Sequence, residues 1–472
     1  MTTTPWGAWR PDVGGPNKPY CDTASGVVPQ AGAQGLGYGP FPQFVTDSGA
    51  EALSGEPRGV ISVQRFDGTW AVFAATATTI ETLDSASQWS DVETARTTPD
   101  GDDVSFCHFG AYMLNTDTAS GLKAYNVETP AGNNAVSGAP GNVRAIFSCS
   151  NVVFALDCDG NNRRMESSAR GDFTNWTTQG ADGKTFEDGG ALIGGRDLKN
   201  GVALLMQESA IRLIQFGAGA ALYGITKLAD GRGCVADRTL VAFDGMAFWW
   251  DLNGPWAFIG GSLRPIGAEK LSRWAEANIG SANYATLQGV VDPTRNVVIW
   301  RVDSTYGLAY NWLAEEWSIL PMATSALSRI ATAGTTIDSL TGTIDDLTVT
   351  IDNRDWSGSA PVLAGLDTSY KTGKFTGANM AATLQSSLVT PGGEPLVSWV
   401  RPESDAAGSS LAVGTAQSLA TSLTWKAGVA KGAHGWTQQR SRGRHLAFRE
   451  TIPAGAEWSY SNGYEVGGGP RA

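Results

Sequence analysis

Asp244-Gly245-Met246-Ala247-Phe248-Trp249-Trp250-Asp251-Leu252-Asn253-Gly254 contains the pattern that the rest of the chain repeats. An apolar run, 246–251, stands between an Asp-Gly and an Asn-Gly pair. Asn, Asp and Gly tolerate the positive φ that tight hairpin turns demand. The same punctuation returns at Asp67-Gly68, Asp100-Gly101, Asp159-Gly160 and Asn200-Gly201. Between these pairs lie runs at 69–75, 111–115, 152–156, 202–206, 211–216 and 297–302, rich in Val, Ile, Phe and Trp. Such short β-branched and aromatic runs suit antiparallel strands. Parallel β/α units need long helical crossovers, and the pattern offers none. One segment, 268–275, reads as helix, with Leu271 and Trp274 on one face.

Many short strands joined by tight turns make a sandwich, a barrel or a propeller. Aromatic markers at Trp70/Trp89, Tyr112/Tyr125, Trp176, Trp249/Trp250 and Trp300/Trp317 recur at the spacing of propeller blades. The expected fold is therefore all-β: a β-propeller with an extended N-terminal arm and a C-terminal β-sandwich-like module. The degenerate repeat leaves the blade count open. Four regions follow: an arm over 1–45, a propeller over 46–330, a Thr/Asp-rich connector or platform over 331–394, and a β module over 395–472. The arm is broken by Pro5, Pro11, Pro16, Pro19, Pro29, Pro40 and Pro42, so it reads as irregular. Its aromatics, Trp6, Trp9, Tyr20 and Tyr38 among them, anchor it on a surface, its own or a neighbour's.

Glycine fills 59 of 472 positions, charged residues only 17 %, and the formal net charge is −12. That balance disfavours a protein that grips phosphate backbones with Lys and Arg. No apolar run reaches the length of a membrane-spanning helix. Five cysteines (Cys21, Cys107, Cys149, Cys158, Cys234) form no C-x-x-C pair, which points away from a disulfide framework or zinc site and toward a reducing compartment. Met1-Thr2-Thr3-Thr4-Pro5 has neither a charged nor an apolar leader segment, so no export signal is expected.

Residues suited to catalysis are sparse. His108, His434 and His445 are the only histidines, without metal-ligand spacing and without a G-x-S-x-G elbow. Gly194-Gly195 and Gly217-Ala218-Gly219 lack the phosphate-loop pattern. The repeat carrying Asp338, Asp345, Asp346 and Asp352 could offer oxygens to Ca²⁺, but its spacing matches neither the EF-hand loop nor a glycine-rich calcium-binding nonapeptide, and turn-forming Asp is the favoured reading over a metal site. Arg65-Phe66-Asp67-Gly68-Thr69-Trp70 and Gly171-Asp172-Phe173-Thr174-Asn175-Trp176 resemble the Asp-box turn of sialidase-like propellers, itself a structural turn. No catalytic, cofactor or metal residue is assigned, and the chain is read as a non-enzyme. Arg440, Arg442, Arg444 and Arg449 form the densest positive cluster. The first three join Trp6, Trp9, Tyr20 and Tyr38 as candidate interface residues.

Several of these pieces together resemble tail hub (nozzle) proteins of short-tailed bacteriophages, the group of packaged-DNA stabilisation proteins. They are Trp9-Arg10-Pro11-Asp12 through Gly26-Val27-Val28-Pro29 to Gly37-Tyr38-Gly39-Pro40-Phe41-Pro42; Ala210-Ile211-Arg212-Leu213-Ile214-Gln215-Phe216; Glu269-Lys270-Leu271-Ser272-Arg273; Asp292-Pro293-Thr294 with Val297-Val298-Ile299-Trp300; Leu308-Ala309-Tyr310-Asn311; and Glu316-Trp317-Ser318. The Ile-Asp repeat and Ser441-Arg442-Gly443-Arg444 to Ala454-Gly455-Ala456-Glu457-Trp458 extend the likeness to nearly the whole chain. The chain is shorter and lower in charge than its better-known relatives.

The resemblance implies a structural subunit of the virion tail, assembled in the host cytoplasm as a homohexameric ring beneath the portal-adaptor protein. Its other implied partners are tail fibre, spike or needle proteins, and double-stranded DNA that passes without sequence recognition. The ring retains packaged DNA and conducts it on ejection, with a lumen expected to be neutral or negative so that phosphates do not stick. The competing reading is a propeller glycosidase or lyase with a carbohydrate-binding C-terminal module. A trimeric tail fibre is disfavoured by the lack of coiled-coil heptads.

Overall fold

In the computed structural model, residues 3–32, 35–217, 222–331 and 361–469 are described. Asp244 and Gly245 both take positive φ, 50° and 80°, so Phe243 faces Met246 across a two-residue turn. Asp159-Gly160 does the same between Cys158 and Asn161. Ser150-Asn151 makes the same kind of turn without glycine, at φ 49° and 60°.

The hairpins assemble into four-stranded antiparallel blades. Blade 1 holds Gly59–Gln64, Trp70–Ala75, Ile80–Leu83 and Trp89–Glu93; blade 2 holds Ser105–Phe109, Tyr112–Thr116, Lys123–Asn126 and Asn134–Ala135. Blade 3 begins at Ala145–Cys149, blade 4 at Leu192–Asp197 and blade 5 at Val241–Phe243. Blade 6 comprises Gln288–Asp292, Val297–Arg301, Tyr306–Asn311 and Glu316–Pro321. Blade 7 takes Thr324–Ile330, Val362–Asp367 and Thr372–Lys374, and its outermost strand is Val45–Thr46 from the other end of the chain. The innermost strands stand around one axis, blade 7 against blade 1, where the Ser62 hydroxyl donates to the Arg329 carbonyl at 2.9 Å.

Alternation on a strand explains the paired tryptophans. Neighbouring side chains leave a strand on opposite faces, so Trp249 and Trp250 fill two different gaps. Trp249 packs with Leu204, Met206 and Ile211 of blade 4, and its indole N–H donates to the Gly233 carbonyl at 2.9 Å. Trp250 faces blade 6, edge-on to Trp300, which stacks on Trp317. The Trp300 and Trp317 N–H groups donate to the carbonyls of Thr239 and Ile266 at 3.0 and 2.9 Å. Trp249, Trp300 and Trp317 thus bury large apolar areas with their N–H groups satisfied, whereas the buried Trp250 N–H has no acceptor among the described residues.

The arm is not an irregular strap. Tyr20–Ser25, Val27–Gly32 and Gly35–Pro40 are strands, and they form one module with the C-terminal strands. One sheet orders Thr437–Arg442, Leu396–Ser404, Ser461–Gly469, Gly35–Pro40 and Val27–Gly32, with Thr4–Pro5 also on Ser461–Gly469. The other sheet continues blade 6: Tyr20–Ser25 touches Glu316–Pro321 in parallel at Ser25 and Ile319, then pairs with Ala382–Ser386, which leads to His445–Ile452 and Ser410–Ala416. Strands therefore cross the boundaries read from composition: 324–330 and 362–374 lie in blade 7, and 382–386 in the module. The arm also caps the helix, which spans Ser272–Asn278. The Asp12 carboxylate accepts from the backbone N–H groups of Arg273 and Trp274 at 2.9 and 2.7 Å, satisfying donors that no residue of the helix itself covers.

Two buried ionisable groups carry measurable consequences. Arg96, with 0 % side-chain exposure, joins blade 1 to blade 2: its Nε donates to Asp117 at 2.6 Å, and Nη1 donates to Asn115 at 2.8 Å and Glu93 at 3.0 Å. Burial opposes the charge on Asp117, but Thr98, the Ser120 amide and Arg96 outweigh it and hold its carboxyl below the ordinary range. Arg96→Ala leaves the buried Asp117 carboxylate without its cation, while Glu93 keeps Lys123, and is expected to cost about 3–5 kcal/mol in urea unfolding. A loss below about 1 kcal/mol contradicts a buried ionic joint.

Glu450, fully buried in the module, accepts from the Ser461 hydroxyl at 2.6 Å, and that hydroxyl accepts from the Trp6 indole. Burial pushes the Glu450 carboxyl up, with Ser461 pulling the other way. A raised folded pKa means that its stabilising share is full below the ordinary carboxylate range and is lost as pH rises through the folded value. Glu450→Gln removes that dependence. The variant-minus-native difference in Tm should become more positive from pH 4 to pH 8; a difference constant across that range contradicts it.

Candidate functional site

The axis of the propeller opens into a cavity of about 500 Å³ where the chain runs into the innermost strands. Arg58 immediately precedes the first strand of blade 1, Arg144 that of blade 3, and Arg238 stands in the turn Asp237–Thr239 before blade 5. Arg196, Arg301 and Arg329 complete six arginines in the lining, against four acids, Glu56, Asp102, Asp103 and Asp237.

The acids are distributed unevenly. Asp237 takes Arg196 in a bidentate pair at 2.7 and 3.0 Å. Gly194 makes room for it, since a Cβ there would lie 1.9 Å from the carboxylate; Gly195 likewise clears the Phe147 ring. These glycines serve packing, not a phosphate loop. Asp103 accepts from Arg238 Nε at 2.6 Å and from its Nη2. Blades 2 and 5 are as far apart as a ring of seven permits, so this pair is a strut across the channel. Burial raises the Asp103 carboxyl while Arg238 pulls it down.

Arg301 ends the second strand of blade 6, opposite Gln288 at the start of the innermost strand. Among the described residues it makes no ion pair and no side-chain hydrogen bond, and its buried Nε has no protein acceptor. The Arg58 Nε is in the same position, with carboxylates of Glu56 and Asp100 only at 3.6 and 3.9 Å from its Nη2. Burial, then the charge of Arg238, lower the Arg301 pKa. The described lining holds no His, Cys, Lys or Tyr, and its ionisable groups are arginines and carboxylic acids.

A second basic feature lies on the module. Along Thr437–Arg442 burial alternates, with Gln439 and Ser441 inside and Arg440 and Arg442 exposed; Arg444 is exposed just beyond. The strand is the edge of its sheet, and among the described residues these three arginines form no ion pair. Arg449 belongs elsewhere, its guanidinium 3.8 Å over the Trp425 ring.

The aromatic candidates divide differently. Trp6, Trp9 and Tyr38 are 1 %, 1 % and 0 % exposed inside the chain's own core. They offer nothing to a neighbour's surface, because the module consumes them. Tyr20 is half-buried beneath the Arg10 guanidinium, which also pairs with Glu316 of blade 6. The channel arginines were not singled out from sequence; the available signal was an arginine standing directly before an innermost strand.

The remaining motifs take structural positions. Asp67 and Asp172 each accept from the amide and hydroxyl of the Thr two residues on, as Asp303 does, which holds all three carboxyls low. His108 and His434 are exposed, while His445 is buried beside the Thr390 hydroxyl at 2.8 Å. The Asp338, Asp345, Asp346 and Asp352 repeat and Ala218-Gly219 lie outside the described residues. Among the described residues no cluster of His, Cys, Asp and Glu is suited to a metal ion, and no helix is long and apolar enough to cross a membrane.

No family model matches this chain, and no curated protein matches it. Solved structures similar to it include "Structure of U3-55K" (8 % identity, TM-score 0.37, 60 % of this chain and 87 % of that one). Others are "Crystal structure of RRP9 WD40 repeats" (9 %, 0.38, 61 % and 87 %) and "Crystal structure of WD40 beta propeller domain of Doa1" (11 %, 0.40, 61 % and 88 %). Blade number and closure come from the chain's own strand pairing.

All five cysteines are free and buried, and burial pushes each thiol up to about 12. Because the thiolate is the reactive form, a disulfide reagent should titrate none in the native protein and five in denaturant. Rapid labelling of even one native thiol contradicts this packing.

Proposed function

We propose that this chain is a structural ring subunit of a short-tailed phage tail, a hub or nozzle protein that helps retain packaged DNA and conduct it on ejection. The observation that carries the assembly part is the segregation of charge. Residues 46–330 hold 32 Asp and Glu against 21 Lys and Arg, whereas residues 395–472 hold 5 against 8. The exposed, unpaired Arg440, Arg442 and Arg444 concentrate the positive end on one sheet edge.

Unlike patches on one subunit favour head-to-tail contacts, which close into rings when the rotation permits. Charges along an edge strand also stop it recruiting stray strands. The Asp103–Arg238 strut leaves the propeller's own axis unsuited to a conduit, so the DNA passage belongs between subunits. The tail assignment itself rests on the sequence resemblance, as do the adaptor and the fibre, spike or needle partners and location in the virion. The ring lumen is expected to be neutral or negative.

Analytical ultracentrifugation of the purified chain should give a species near six times 49.5 kDa at low salt, dissociating as salt rises. Charge reversal by Arg440→Glu with Arg442→Glu should yield folded monomer. Microscopy of particles should then find the ring in the tail beneath the portal. A salt-independent monomer that releases reducing sugar from glycans overturns this reading in favour of the glycan-active one.

A further inference from the structure

The channel carries more positive charge than its own acids answer. Asp237 is taken by Arg196 and Asp103 by Arg238. Arg329 is drawn aside, its guanidinium donating to the Pro361 carbonyl at 3.1 and 2.7 Å. Arg58 pairs through Nη2 with Glu56 and Asp100 at 3.6 and 3.9 Å; among the described residues Arg301 has no acidic partner within ion-pair distance, and both arginines bury an Nε without a protein acceptor. A buried donor left without an acceptor is costly, and this cavity holds two of them in walls otherwise well hydrogen-bonded.

We propose that the channel mouth is a binding site for a small multivalent oxyanion of the phosphate or pyrophosphate type, held by Arg301 with Arg238 and Arg58 beside it. The guanidinium is a planar fork of donors matched to the oxygens of such an anion, and charge-assisted bonds of this kind are the strong ones. The cavity volume, about 500 Å³, lies within the range of small-ligand sites. Burial first, and crowding by Arg238 second, disfavour the Arg301 charge in the free protein; an anion seated between the two guanidiniums is attracted to both. The Asp103–Arg238 strut supplies the floor, keeping Arg238 aimed across the axis. The site is independent of ring assembly, because every residue in it comes from one propeller.

Pyrophosphate titrated calorimetrically into the full chain in low-chloride buffer should bind with one site per chain and raise Tm by mass action. Arg301→Gln should weaken binding at least tenfold, while Arg170→Gln, an exposed arginine of blade 3, should leave it unchanged. Without anion, Arg301→Gln should melt no lower than the native protein, because it removes a half-buried cation whose Nε has no acceptor among the described residues; a merely structural arginine would lower Tm. Should that variant fail to fold, Arg301→Lys retains the charge without the fork, and several-fold weaker binding is expected. Absence of binding, equal affinity in either Arg301 variant, or equal loss in Arg170→Gln overturns the proposal.

Discussion

Everything in this molecule depends on the pairing of two residues, Val45 and Thr46, with Lys374 and Gly373. An open row of blades would expose the inner strand of blade 1 and an unfinished blade 7, each with unmet backbone groups and an apolar face. The short strand completes blade 7, and the chain then passes directly into blade 1. Its side chains reinforce the clasp: Thr46 donates to Asp367 at 2.9 Å, and Lys374 reaches Asp47 at 3.0 Å. Once the ring is shut, the channel, its strut and the arginine set follow, since they belong to blades brought together by closure.

The blade grammar was legible in sequence because its causes are local. A hairpin needs two tolerant residues and a run that alternates, and Asp244-Gly245 with Phe248, Trp249 and Trp250 supplies both within a few positions. What was not legible depends on partners hundreds of residues away. Nothing in Val45-Thr46 says that it belongs to a blade made after residue 324. Likewise Trp6, Trp9 and Tyr38 announce burial without saying against what: Trp6 meets Ser461 and Tyr464, Trp9 meets Trp274, and Tyr38 pairs with Ser461. Arg440 and Arg442 were visible because exposure follows the strand period. Arg58, Arg238 and Arg301 are gathered only by the rotation of the ring.

The two basic features differ in physical kind. The arginines of the sheet edge are hydrated and screened, so their action is long-ranged and weakens with salt. Those of the channel sit against acids and apolar walls, where geometry decides and salt matters less. Blade 6 links the two settings, because its sheet runs on into the module through Tyr20–Ser25. The aromatic core follows the same route, with Trp250, Trp300 and Trp317 in one cluster with Trp6, Trp9 and Phe448.

The joining of early and late residues also sets a timetable. A ribosome adds about 5–20 residues per second, so the strand at Val45–Thr46 waits on the order of tens of seconds for residues 372–374 to be made. Trp6 waits longer still, until Ser461–Gly469 leaves the exit tunnel. Through that interval Trp6 lacks its late partners, while the strands of blades 1 to 6 are synthesised in order. The hazardous moment in the life of this protein is thus its synthesis: the clasp closes the ring first, and the late strand Ser461–Gly469 then covers Trp6.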